Sequence, residues 1–172
     1  GQLGDNDFNF QKNESVLTTD TSSYISISAA LRHTCGIRAN DSRVLCWGRN
    51  IYGELGDNSE IQKDFPVLTT DTDAYIFLSS GRSFNCGIRK SDSRVLCWGS
   101  NIAGQLGDGY VGTDRDEPRL TTDTSPYTSI AGGAYHTCGI RANDSRVLCW
   151  GDNEYGQLGD NDTLSDKDEP VL

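Results

Sequence analysis

Six cysteines carry the most explicit chemistry in the chain, and they fall into three pairs: Cys35 and Cys46, Cys86 and Cys97, Cys138 and Cys149. Each pair is separated by 11 positions and brackets turn-forming residues, Asn40-Asp41, Ser91-Asp92 or Asn143-Asp144. Such a segment folds back as a hairpin centred on the polar dipeptide. The centre of each pair coincides with the centre of its turn, so the two cysteines stand directly opposite each other. Opposed Cβ atoms in an antiparallel pair lie about 4.5–5.5 Å apart. A disulfide needs about 3.5–4.5 Å, which favours a non-hydrogen-bonded pair of the ladder. The spacing therefore predicts disulfides Cys35–Cys46, Cys86–Cys97 and Cys138–Cys149. None is left over, and three bridges imply an oxidising compartment.

Two metal chemistries can be set against this one. His33 and Cys35 share a strand face, with Cys46 opposite, which gives three possible zinc ligands. The second pair, however, has Phe84 where the others have His33 and His136, and it keeps both cysteines. A fourth ligand is also missing nearby, so no structural metal is expected. The acidic loops around Asp5 and Asp7, and around Asp160, Asp162, Asp166, Asp168 and Glu169, could draw calcium. They lack the glycine at the sixth position of an EF-hand loop, and solvated loops are expected instead. Four sequons, at Asn13, Asn40, Asn143 and Asn161, fall at hairpin tips or in polar loops, and N-linked glycans are expected there. The chain has only two histidines, both tied to the repeating pattern, and no HExxH, GxSxG or P-loop sequence. No catalytic residue and no cofactor is assigned, and the chain reads as a non-enzyme.

The elements that must position these groups repeat. Gly-Gln/Glu-Leu-Gly-Asp begins at Gly1, Gly53, Gly104 and Gly156, in steps of 52, 51 and 52 residues. The cysteines keep this beat, and so do Trp47, Trp98 and Trp150. A fixed period of this size marks a propeller or solenoid array. The repeats divide the chain into units 1–52, 53–103 and 104–155, and residues 156–172 read as the start of a fourth. Within a unit, Tyr24–Ser28 alternates apolar and polar residues as a half-buried strand does. His33–Arg38 and Arg43–Gly48 form the cysteine hairpin. A shorter extended piece ends at Val16-Leu17 and recurs at Pro66-Val67-Leu68 and Pro170-Val171-Leu172, where proline restricts it to a strand start or an edge. Four short strands in about 50 residues are the content of a propeller blade. No stretch has a sustained 3.6-residue period, so an all-β array of three four-stranded blades is expected, with almost no helix.

The stretch Cys46-Trp-Gly-Arg-Asn-Ile-Tyr-Gly-Glu-Leu-Gly-Asp57 resembles the repeat of the regulator-of-chromosome-condensation (RCC1) family, as do Cys97–Asp108 and Cys149–Asp160. Ala134-Tyr-His-Thr-Cys-Gly-Ile140 is similar to that family's strand before the hairpin. The resemblance implies a β-propeller, usually of seven blades, so three blades form an open or incomplete ring. It also implies blade-core and turn roles for the tryptophans and the motif glycines. The paired cysteines resemble those of extracellular members, including some plant receptor-kinase ectodomains. Nucleotide exchange and chromatin binding, known of nuclear members, are not carried over.

Composition limits the remaining classes. The net charge of −10 over 172 residues repels phosphate backbones and anionic membrane surfaces, so neither nucleic acid nor membrane insertion is expected. The absence of methionine fits a processed chain or a segment of a longer one. Open blade arrays expose apolar end faces, so self-association or further repeats of the same chain are expected as partners. The leading expectation is a secreted, non-enzymatic structural scaffold, a segment of a longer chain or the subunit of an extracellular filament. The alternative is part of a closed propeller that recognises a protein or glycan ligand.

Overall fold

The computed structural model describes residues 1–7, 12–162 and 165–172. Among the described residues twelve strands form three separate four-stranded antiparallel sheets. The first is β1 (Tyr24–Ala29), β2 (His33–Arg38), β3 (Val44–Gly48) and β4 (Lys63–Leu68). The second is β5 (Tyr75–Ser80), β6 (Phe84–Arg89), β7 (Val95–Gly99) and β8 (Arg115–Leu120). The third is β9 (Tyr127–Gly132), β10 (His136–Arg141), β11 (Val147–Gly151) and β12 (Lys167–Val171). Each sheet is a meander in sequence order, and no helix occurs among the described residues. The prolines Pro66, Pro118 and Pro170 sit in the fourth, edge strands, where a missing N–H costs no ladder bond.

The central hairpins follow the cysteine symmetry. Cys35 pairs with Cys46, Cys86 with Cys97 and Cys138 with Cys149 in the strand register. All three pairs are disulfide-bonded, with Cα–Cα spacings of 4.1 Å, the short spacing of non-hydrogen-bonded pairs. Each turn closes in the same way. Asp41 accepts the Arg43 backbone N–H and two guanidinium bonds from Arg38, while Ser42 takes a positive φ of 59°. Asp92 and Asp144 repeat this with Arg89 and Arg141.

Sheets stack face to face, and the core lies between them. Cys35, Ile37, Val44 and Cys46 of the first sheet pack against Tyr75, Leu78 and Trp98 of the second, with Leu55 from the intervening loop. Cys86, Ile88, Val95 and Cys97 meet Tyr127, Ile130 and Trp150 in the same manner, with Leu106. Each tyrosine lies edge-on to its tryptophan at 6.1–6.4 Å. It presses on the glycine of the second strand, where a Cβ on Gly36, Gly87 or Gly139 would fall 2.6–2.7 Å from the ring. The first strands stand side by side, and the Ser80 and Gly132 N–H groups donate to Ser28 Oγ and Ser79 Oγ of the preceding sheet.

The long connection between third and fourth strand, which carries the Gly-Gln/Glu-Leu-Gly-Asp motif, reaches onto the next sheet. Gln2 O accepts the Trp47 Nε1–H and Thr34 hydroxyl of the first sheet. Glu54 O accepts the Trp98 Nε1–H and Asn85 Nδ2–H of the second, and Gln105 O accepts the Thr137 hydroxyl of the third. Gly53 has φ +77°, and a Cβ there would stand 2.3 Å from Asp116 Cα, so only glycine permits this approach. Unit boundaries counted from the motif glycines fall inside these connections, so each motif segment leads into the fourth strand of one sheet while covering the next. Residues 156–172 accordingly supply β12 of the third sheet. The related stretch 12–17, whose Val16-Leu17 reads as extended in sequence, is not in a strand, since no third strand lies beside it to pair with.

The first-strand alternation is real but out of phase with burial. The register slips between Tyr24 and Ser26, so Ile25 is bulged outward, and Tyr24 turns inward. Ile27 is 64% exposed, although its counterparts Leu78 and Ile130 are 6% and 3% exposed. The first sheet simply has no sheet on that side. The third lacks one on the other side: Ile140 is 40% and Val147 52% exposed, against 0% for Ile37, Ile88, Val44 and Val95.

Candidate binding face

The motif loops rest on one buried asparagine each. Asn50 Oδ1 accepts the Leu55 N–H and its Nδ2 donates to Asp57. Asn101 and Asn153 do the same for Leu106 with Asp108 and for Leu158 with Asp160. All three asparagines are fully buried, so these loops are rigid platforms rather than loose connections.

On these platforms, at the end of the sheets where the motif loops meet the turns between first and second strands, lies a cleft of about 400 Å³. Arg32, Arg49 and Arg82 line it with Tyr52 and Tyr135. The Arg49 guanidinium lies over the Tyr52 ring at 5.0 Å, and that of Arg82 over the Tyr135 ring at 5.4 Å. Arg82 also donates to the Tyr135 hydroxyl at 2.6 Å. Among the described residues no carboxylate lies within ion-pair distance of Arg32 or Arg82. Arg49 stands 3.9 Å from the fully buried Glu54. Burial pushes the Glu54 carboxyl above the usual carboxylate range, and its Oε2 accepts the Tyr52 N–H.

These residues stand where the repeats part company. Arg-Ala-Asn-Asp-Ser-Arg-Val-Leu-Cys-Trp-Gly is identical at 38–48 and 141–151. In the cleft, by contrast, Arg32 corresponds to Ser83 and Tyr135, Arg49 to Ser100 and Asp152, and Arg82 to Leu31 and Ala134. The motif search passes over these positions because it aligns what recurs. The available signal was the opposite one, arginines confined to single copies of an otherwise constant unit.

The groups singled out in sequence lie elsewhere. The six sulfurs are tied in bridges between the second and third strands of each sheet, and His33 is buried with Nε2 2.9 Å from Asn85 Oδ1. Burial lowers the His33 pKa to about 4, so the ring is neutral at pH 7. The sequon residues Asn13, Asn40, Asn143 and Asn161 are all exposed; Thr163 of the last sequon lies outside the described residues. In the acidic loops an ammonium group stands among the carboxylates: Lys12 is 3.7 Å from Asp5 and 2.9 Å from Asp7, and Lys167 is 3.6 Å from Asp160 and 2.9 Å from Asp162. Asp166 accepts the Asn153 N–H at 3.0 Å, and Asp168 and Glu169 lie on β12.

Comparison with known proteins agrees with this architecture. Models described as the regulator of chromosome condensation (RCC1) repeat match residues 24–54 and 127–157 in one form, and 92–140 and 144–172 in another. The chain is 30% identical to the human probable E3 ubiquitin-protein ligase HERC6 over 132 residues, which is 74% of this chain and 13% of that protein. Among solved structures, human WBSCR16 superposes with a TM-score of 0.80 at 16% identity, over 99% of this chain and 44% of that one. The ectodomain of the Physcomitrella patens receptor kinase CR4 gives 0.56 at 25% identity, over 84% of this chain and 34% of that one. The chain thus spans less than half of each of these proteins.

Proposed function

Because the chain belongs to the regulator of chromosome condensation (RCC1) repeat family, whose members here share propeller blades, we propose that it is a non-enzymatic protein-binding module of an extracellular or otherwise oxidising compartment. The observation that carries this reading is the contrast between a nearly invariant core and a divergent loop end. Folding holds the core constant and leaves exposed loop positions free to vary, and what favours recognition is that the arginines confined to single units, Arg32, Arg49 and Arg82, gather at one cleft. Three disulfides, two of them fully buried, and exposed sequons at Asn13, Asn40, Asn143 and Asn161 support this compartment. The likeness to a receptor-kinase ectodomain points the same way. Panning a random-peptide display library against the disulfide-bonded chain tests it. Saturable enrichment of related peptides is expected, and no enrichment would overturn the reading.

A second reading, an extended scaffold, is favoured by the two end faces. The exposed Ile140 and Val147 of the third sheet match in kind the surface that the first two sheets bury, and the exposed Ile27 matches what they receive. We propose that further blades, of the same chain or of a second copy, cover these faces. Electron microscopy of native material separates the outcomes: discs support a closed ring, and long fibres support a scaffold.

A further inference from the structure

We propose that the cleft between Arg32, Arg49 and Arg82 takes an extended peptide segment that carries carboxylates beside an apolar side chain. This inference rests on the protein-binding reading above and names its ligand class.

Charge is the first argument. In a chain of net charge −10, three guanidinium groups converge on one cleft. The carboxylates near them are Asp114 on the rim, which accepts the Asn101 N–H at 2.8 Å, and Glu54 beneath Arg49. The cleft remains locally cationic, and an anion entering it meets attraction that the rest of the surface opposes. The second argument is preorganisation. Two guanidinium planes are held on tyrosine rings, so little side-chain freedom remains to be lost on binding. Arg82 spends one donor on Tyr135 and keeps its others, and a guanidinium fork matches a carboxylate in two parallel bonds.

The third argument chooses among anions. Leu31 and Ile102 also line the cleft, and they are 56% and 66% exposed. A sulfated polysaccharide offers anions but no apolar side chain to cover them. An extended peptide with acidic and aliphatic residues taking turns at every second position (Glu-x-Leu-x-Glu) offers both on one face, with side chains about 6.6–6.8 Å apart along it.

The repeats themselves supply test substitutions compatible with the fold. Arg32→Ser installs the residue of the second unit, and Arg82→Ala that of the third. A fluorescein-labelled peptide of repeating Glu-Ser-Leu-Ser, which sets Glu and Leu on one face when extended, is titrated into the disulfide-bonded chain and followed by anisotropy. A Lys/Leu peptide of equal length and heparin serve as comparison probes. Saturable binding of the Glu/Leu peptide is expected, weakened by added salt. The double variant should weaken it roughly tenfold or more, the scale of losing one charge-assisted contact, with thermal unfolding unchanged. Preference for heparin, equal binding of the Lys/Leu peptide, or insensitivity to the double variant would overturn the proposal. If panning enriches peptides that lack carboxylates and ignore these substitutions, the ligand class fails while the binding reading stands. If panning enriches nothing, that reading fails as well.

Discussion

His33 and Glu54 meet at one junction, linked through Asn85, and pH acts on them in opposite senses. Asn85 faces the His33 ring with Oδ1 and donates from Nδ2 to the Glu54 carbonyl. Burial lowers the His33 pKa to about 4, so the unfolded chain binds the proton more readily. Its contribution is complete above about pH 6.5 and is lost as pH falls toward 4. Over that window the loss approaches about 3 kcal/mol, since one pKa unit is worth about 1.4 kcal/mol. His33→Phe copies Phe84 of the second unit and should remove this part of the acid sensitivity, as read from urea midpoints between pH 7 and 4. Glu54 carries the reverse sign. Its folded pKa is raised, so the carboxyl favours folding at low pH and costs stability once ionised at neutral pH. Glu54→Gln, the residue of the other three motif copies, should therefore raise the neutral-pH midpoint and leave the acid one nearly unchanged. The sequence shows Phe84 and Glu54 as departures from the repeat, but not that His33 and Glu54 share a junction, because the partner Asn85 lies 52 residues beyond His33.

At the scale of elements, the hairpins and the motif loops have separate supports. The cysteine pairing was legible because a period-2 ladder folded about a known turn fixes its own register. Replacing Cys86 and Cys97 together with alanine should cost about 2–4 kcal/mol, the value for closing a loop of this size, with the neighbouring sheets still folded. Denaturant unfolding checks this, and a change below about 1 kcal/mol would argue against the bridge. The motif loops depend on their buried asparagines. Asn101→Ala removes the acceptor of the Leu106 N–H and one donor to Asp108, which keeps Arg115, and should cost about 1–3 kcal/mol. Amide exchange should then rise around Gln105 and over Trp150, which this loop covers. The reach of each loop onto the following sheet was not legible. It depends on which residues meet across sheets, and a repeating sequence looks the same whichever sheet receives the loop.

At the scale of the whole chain, the described residues form a row of three blades, and identical residues have different fates according to position. Ile88 and Ile140 occupy equivalent places, yet one is fully buried and the other 40% exposed. Ile140→Lys should change stability by no more than about 0.5 kcal/mol, as at an ordinary surface site, whereas Ile88→Lys should prevent folding. If blades of a second copy cover this face, Ile140→Lys should also abolish concentration-dependent association in sedimentation. The fold was legible because the period, the strand lengths and the tryptophans all repeat. The binding face was not, because its residues are those that fail to repeat, and only the stacking of the blades brings Arg32, Arg82 and Tyr135 to one cleft. Hydrogen-exchange mapping of the disulfide-bonded chain with a peptide selected from the display library tests this face most directly. The account predicts new protection at residues 31–33, 49–52, 81–83 and 134–136. Protection confined to the hairpin turns at 39–42 and 142–145, or to the end face around Ile140 and Val147, would contradict it.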